Sequence, residues 1–548
     1  MCYIDRNSFY GKRDRVNNER KGTRFCYILE YGVVLVGFLM MYFFILPQSD
    51  VFLFAQETDG SFRSVWDFSL HYGNGRLLGN LIGVYFSSHF AYAGFIVATV
   101  LTFMVFLLNY LLFNHDLYAV FPVALLIAIP STGIVTECYH LFTGFCNYVI
   151  PMMFLELSLC CMKGLSGATG LRKLFLLSAA AICGFSLCLF SENTTILALA
   201  TFFALLCCSF ARLKSAFFPS LLCFISSLLG SLVMFLIPVM TQTGEKMDSY
   251  RSIASGVFGI IRQCVISFCQ FADIFNHIYV VLFLFSFAML MLCIRQDYGS
   301  THLKNLQITV YSVYPFFCMA MNTLDSHSLA ASLTIIKLID GAVLIFYAVN
   351  VLVTIIHIKE RSFRKTCLLM AALTLISVAP LMVVNITGHR TYYTTYIYMV
   401  VFSVVIIRSA LPDQLRDIIK KREIRKRIAM VAATCFTIIT LLMTMFSIYN
   451  YDCYVIRSND LAEKIANNES LAVPILPFDS ISIEGSLNNI LYFAFEDIEV
   501  DAVVISMESW DGYEQYRAQI VNNPIYAVKF ALENWEYKDP LYPQKLCK

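Results

Sequence analysis

The residues of this chain best suited to chemistry lie where long apolar runs end. Asp50 follows Leu46, the last apolar residue of the first run, by four positions, and the stretch 47–80 then turns back through a glycine-rich GNGRLLGN carrying Arg76. A carboxylate held just beyond lipid can take a proton from a hydroxyl. An arginine facing it can hold a phosphate through its forked donors. Taken alone, the stretch also fits a solvated loop with a helix-ending proline and an incidental acid. Four further connections repeat the theme. PSTGIVTECYHLFTGFCNY carries Glu137, His140, Asn147 and Tyr148; SENTT carries Glu192 and Asn193; LDSHS carries Asp325 and His327; NITGHRTYYTTY carries His389, Arg390, Tyr392 and Tyr393. Each has an ordinary explanation as a turn residue, a headgroup contact or part of an interfacial aromatic belt. On a helix, Glu137 and His140 would share a face, three residues apart. Together, the five connections flank different pairs of apolar runs on one side, as a shared cavity requires. Lys337 and Asp340 differ because they lie within an apolar run, spaced to pair with each other along a helix. A neutralised structural pair and a functional intramembrane pair are both open readings.

The elements that must position these residues are membrane spans. The chain is 58% hydrophobic and 14% charged over 548 residues, against roughly 25% charged in globular domains. At about 20 apolar residues per span, spans are expected at 26–46, 91–113, 117–135, 146–162, 173–190, 194–210, 216–240, 277–294, 306–323, 331–356, 366–386, 392–410 and 429–448. The fold class is therefore an all-α polytopic membrane protein of about 13 transmembrane helices. The third span is bracketed by Pro122 and Pro130, which suits a broken helix.

Basic residues sort by side. They crowd the segment before the first span and the segment 408–427. Alternate loops hold only Arg63, Arg76, Lys246, Arg251, Arg262 and Arg390. By the positive-inside rule the N-terminus is cytoplasmic, and the polar connections and the tail are external. This divides the chain into a basic N-terminus at 1–25, a transmembrane domain at 26–449 with a first external loop at 47–90, and a small extracytoplasmic C-terminal domain at 450–548. In the tail, runs such as NILYFAF and DAVVISM suggest strands, and YEQYRAQIVNN and YAVKFALENW suggest helices. Most cysteines sit inside apolar runs, where Cys acts as a small hydrophobe, and none has zinc-site spacing. The net charge of +2, sorted by side rather than pooled, says nothing about nucleic acid; no nucleic-acid partner is expected, and the lipid bilayer is the partner that the composition names.

The chain resembles GT-C-type membrane glycosyltransferases, and more closely a bacterial multi-pass family associated with them. The resemblance rests on Asp50 after the first span, Gly75–Arg76 in the first external loop, Gly144–Asn147–Tyr148 before the fourth span, the hairpin Glu192–Asn193, and the external element His389, Arg390, Tyr392. It spans about 47 to 400. It implies a sugar donor on polyprenyl phosphate, a glycan or lipid acceptor, and a bacterial inner membrane. It further implies Asp50 as the catalytic base. Arg76, His389, Arg390 and Tyr392 would act on the donor phosphate, and Glu137, His140, Asn147, Tyr148, Glu192 and Asn193 on substrate. Many GT-C enzymes carry paired acids after the first span. Here Asp50 precedes Val51, and the next acids are Glu57 and Asp59, so no cofactor is assigned and a divalent cation, Mg²⁺ or Mn²⁺, is left open. Alternative readings are an O-antigen ligase or polymerase, which usually has one large late loop between two spans, a lipid-linked glycan flippase or transporter, and a structural role in an assembly.

Overall fold

The computed structural model describes residues 16–48, 50–71, 76–212, 214–236, 256–325, 333–382, 388–411, 413–467, 471–474, 476–478, 502–505, 509 and 513–539. Gly75, His327 and the NILYFAF run lie outside the described residues. The chain is a helical, multi-pass membrane protein. Ten helices are long and apolar enough to cross a membrane among the described residues, or eleven if one bent pair counts as a span.

Most expected spans coincide with one of these helices, and the exceptions are informative. The first and eighth expected spans are met by the shorter apolar helices Cys26–Tyr42 and Tyr279–Arg295. The ninth lies in Thr301–Asp325, where His302, Lys304, Asn305 and Gln307 make the helix more polar. The third is the bent pair Leu117–Ala128 and Thr132–His140, whose halves meet at 84°. The segment 241–276, read from sequence as an external loop, contains the helix Gly256–His277, a candidate span by length and composition only. Arg262, Gln263, Gln270 and Asp273 lie within its otherwise apolar run. Part of that polarity is satisfied within the protein, with Gln263 Nε2 donating to Ser267 at 3.0 Å and Asp273 paired to Lys337.

The core is built on the helix Ala93–Phe113, where Val97, Ala98, Leu101, Met104 and Val105 are fully buried. The helices Val16–Tyr42 and Ile150–Gly164 pack against it. The last crossing helix, Arg422–Ala466, has 45 residues. At about 1.5 Å per residue it is far longer than the roughly 30 Å hydrocarbon layer, so it continues past the membrane. Its extension carries Tyr451, Cys453 and Tyr454 into a second apolar cluster with Phe44, Leu46, Tyr516, Ile520, Ala527 and Ala531. Near it, strand Leu471–Pro474 pairs in parallel with Ala502–Ile505. The helical expectation for YAVKFALENW is met by Pro524–Glu533, which Asn523 caps by accepting from Tyr526 N at 3.2 Å.

Candidate functional site

The polar connections converge on the buried segment 131–149. Ser131 starts it by accepting from Ile134 N at 3.1 Å, as an N-cap does. The chain then alternates a short α turn, a π turn at Val135–His140, a second α turn at Phe142–Gly144 and a second π turn at Phe145–Val149. Such π turns are rare and concentrate at functional positions. They also set Glu137 and His140, which a regular helix would place on one face, toward different neighbours. Glu137 accepts from Arg390 N at 3.1 Å, while the His140 ring lies edge-on to Tyr42, 5.4 Å between centroids.

Neighbouring polar contacts draw on four segments distant in sequence. Asp50 opens the helix Asp50–Glu57, and Thr143 Oγ1 donates to its Oδ2 at 3.2 Å. One turn further on, Asn147 Nδ2 donates back to Thr143 O at 2.9 Å. Its Oδ1 faces Gly79, where a Cβ would stand 2.1 Å away, so only glycine lets the helix Leu77–Ser87 approach this closely. Arg76, at that helix's start, lies over the Tyr148 ring at 5.4 Å and donates through Nη2 to Glu192 Oε2 at 3.2 Å. The two side chains are 16% and 27% exposed. Leu78 N donates to Leu189 O at 3.0 Å, which fixes the start of Leu77–Ser87 beside the start of Glu192–Arg212. Two helix N-termini, each the positive end of a dipole, thus flank the Arg76 guanidinium. Glu192 is the partner of Arg76, and Asn193 follows it, half-buried.

A second network lies on the other side of the same segment. Glu137 reaches Gly388, where a Cβ would meet its Oε2 at 2.6 Å, and Gly133 leaves room for the His389 ring. His389 meets His277 edge-on at 5.1 Å. One turn before His277, Asp273 pairs with Lys337 at 3.3 Å. Lys337, spaced to pair with Asp340 on its own helix, thus reaches a carboxylate on a neighbouring helix. Asp340 is buried on the helix Leu333–Ile356, and the next residue, Gly341, abuts Phe268 and Cys269. Tyr392 also requires correction as a donor ligand. It is buried in an apolar cluster with Ile274, Val378 and Leu381 and against Phe271 at 5.3 Å, because the short turn His389–Tyr392 rotates it away from His389.

Sequence reasoning missed Thr143, Gly79, Gly133, His277, Asp273 and Lys538. The GRLLGN spacing contains Gly79; nothing local marks Lys538. That lysine, from the turn Trp535–Lys538, is buried and donates to Phe43 O at 2.8 Å and to Ile45 O. Its ammonium lies over the Tyr451 and Trp535 rings at 5.2 and 5.5 Å. Burial holds it well below the usual lysine range. Asn147 Oδ1 and His140 Nε2 are among the buried acceptors that lack a hydrogen-bond partner among the described residues; the latter is an acceptor when its ring is neutral and protonated on Nδ1. Among the described residues no group of three or more His, Cys, Asp or Glu is arranged to hold a metal ion. No protein-family model, curated protein or solved structure matches the chain.

Proposed function

We propose that the chain is a polyprenyl-phosphate-sugar-dependent glycosyltransferase of GT-C type, working at the outer face of a bacterial cytoplasmic membrane with its N-terminus inside and its tail outside. The reading rests on one observation. Asp50 and Asn147, tied through Thr143, lie on the segment that carries Tyr148, over whose ring sits Arg76 paired to Glu192, so that four separate segments meet, partly buried, where the helices Leu77–Ser87 and Glu192–Arg212 begin. A carboxylate, a guanidinium and two helix N-termini suit an anionic donor attacked by a hydroxyl.

In this mechanism the acceptor hydroxyl oxygen forms a bond to the anomeric carbon as its proton passes to Asp50. The bond from that carbon to the phosphate oxygen breaks, and polyprenyl phosphate leaves with the electron pair. One displacement inverts the configuration. Arg76, held by Glu192, faces the charge that grows on the leaving phosphate, the kind of stabilisation that contributes most in a dry site. Thr143 orients the Asp50 carboxylate, and Asn147 Oδ1 accepts from a sugar hydroxyl. Arg390 and His389 stand at the neighbouring network as a second anion contact.

The test is profiling of glycans and lipid-linked sugars in cells carrying wild type or Asp50→Asn at equal membrane abundance. Loss of one sugar with accumulation of its polyprenyl-phosphate donor supports the reading, with an expected rate loss of about 10²–10⁴-fold. A wild-type profile removes Asp50 as the base. Transport is the second reading, favoured by the Lys337–Asp273 pair between two candidate spans. It takes precedence if Lys337→Met changes the profile and Asp50→Asn does not.

A further inference from the structure

The helix Pro524–Glu533 carries an aliphatic stripe on the face turned away from the protein. Its small residues, Ala527 and Ala531, are fully buried against the extension of Arg422–Ala466. Tyr526 and Phe530 pack against the same cluster, while the aliphatic stripe faces outward, with Ile525 84% exposed, Leu532 52% exposed and Val528 beside them. A helix beside water places its large apolar residues against the protein, and grouped exposure of this kind marks a contact surface. The outward stripe borders a groove of 610 Å³ lined by Met445, Pro524, Ile525, Val528 and Leu532, with Lys529 and Glu533 at its edge. Those two charges pair at 3.6 Å.

Met445 says what the groove faces. It sits on the crossing helix just before Ile448, after which Tyr449, Asn450 and Asp452 end the apolar sequence. One turn earlier, Leu441 and Leu442 are about half exposed on the surface that the crossing helix presents to lipid. The stripe of Pro524–Glu533 therefore continues a lipid-facing surface at the depth where the crossing helix leaves the hydrocarbon. An amphipathic helix at that depth lies in the interface with its apolar side among the acyl chains.

We propose that Pro524–Glu533 is an interfacial helix and that the groove between it and the crossing helix seats an acyl chain of the surrounding bilayer. The C-terminal segment is then held by lipid as well as by Tyr451, Tyr454 and Lys538. This inference is independent of what the chain transfers.

The experiment uses the full chain with Trp66→Phe, Trp510→Phe and Trp535→Phe, carrying Ile525→Trp or, separately, Val528→Trp as the only tryptophan. Each protein is reconstituted into phosphatidylcholine vesicles with acyl chains brominated near the headgroup, and into unbrominated vesicles. Blue-shifted emission that loses intensity in the brominated vesicles is the expected result for both positions. Water-like emission without quenching at both positions overturns the proposal. Quenching that disappears on adding polyprenyl phosphate also overturns it, because the groove then belongs to an isoprenoid chain.

Discussion

At one end of the helix Ala93–Phe113, Lys163 donates to Tyr110 O and to Leu111 O, Arg408 donates to Leu112 O, and Arg425 pairs with Asp116. At the other end lie Asp50, Arg76, Asn147, Glu192 and His140. The first group closes a helix. Its last carbonyls lack intrahelical donors and carry the negative end of the dipole, so cations satisfy them. The second group gathers where helices begin, and Asn147 Oδ1 and His140 Nε2 lie buried there with no partner among the described residues. Both ends are rich in charge. Each also leaves buried acceptors with no partner among the described residues, Glu30 Oε2 and Asn109 Oδ1 at the first end included. They differ in that the first meets helix-end carbonyls with cations, while the second sets a carboxylate and a guanidinium where helices begin.

Four substitutions break or sharpen this contrast. The largest effect is expected from Arg76→Ala, which removes the guanidinium from the proposed phosphate contact and leaves Glu192 without its cation. Sugar transfer should fall by about 10²-fold or more, measured on membranes matched for protein content. An unchanged rate would make the Arg76–Glu192 pair another cap. Gly79→Ala comes next, because its Cβ would stand 2.1 Å from Asn147 Oδ1. Overpacking of this kind costs about 1–3 kcal/mol. The double variant Gly79→Ala/Asn147→Ala should recover most of that stability in detergent while transfer stays low.

Lys538→Met strips two carbonyls at the end of the first helix of their donor, at about 1–3 kcal/mol. Limited proteolysis should then cut the C-terminal segment faster. The same lysine gives that docking a pH sense. Its ionisation is depressed when docked, so the undocked chain binds more protons, and docking should tighten as pH rises from the depressed value toward the ordinary one near 10.4. Proteolysis slowing from neutral to alkaline pH in wild type, but not in Lys538→Met, checks the sign. The smallest effect belongs to Lys163→Met at the opposite end, about 1 kcal/mol of stability with transfer per folded molecule unchanged. A loss of transfer there would erase the distinction between the two ends.

Much of this architecture was legible in apolar run length. The helices at 91–113, 146–162 and 392–410 stand out because lipid demands long runs with few charges. The helix Gly256–His277 did not, with Arg262 and Asp273 inside its run and the Lys337 that neutralises Asp273 remote in sequence. At the site, Asp50, Arg76 and Glu192 were legible as unusual residues at span ends, but their partners were not. Glu192 could be read as a turn acid until Arg76 was seen 3.2 Å away. Thr143 carried no signal, being an ordinary residue in an apolar stretch. Tyr392 looked like its neighbour His389, yet one short turn sends it into an apolar cluster.

Composition and run length alone settled that this chain is a multi-pass helical membrane protein with its unusual polar residues at span ends, since the energy of burying apolar segments in lipid depends on local sequence. Which polar residues meet depended on the tertiary structure. The bend between Leu117–Ala128 and Thr132–His140, the π turns after it, and the approach allowed by Gly79 bring the segments of Asp50, Arg76, Asn147 and Glu192 together. Contacts such as Arg76 to Glu192, 116 residues apart, and Arg390 to Glu137, 253 residues apart, follow from how helices pack, and no local pattern encodes them.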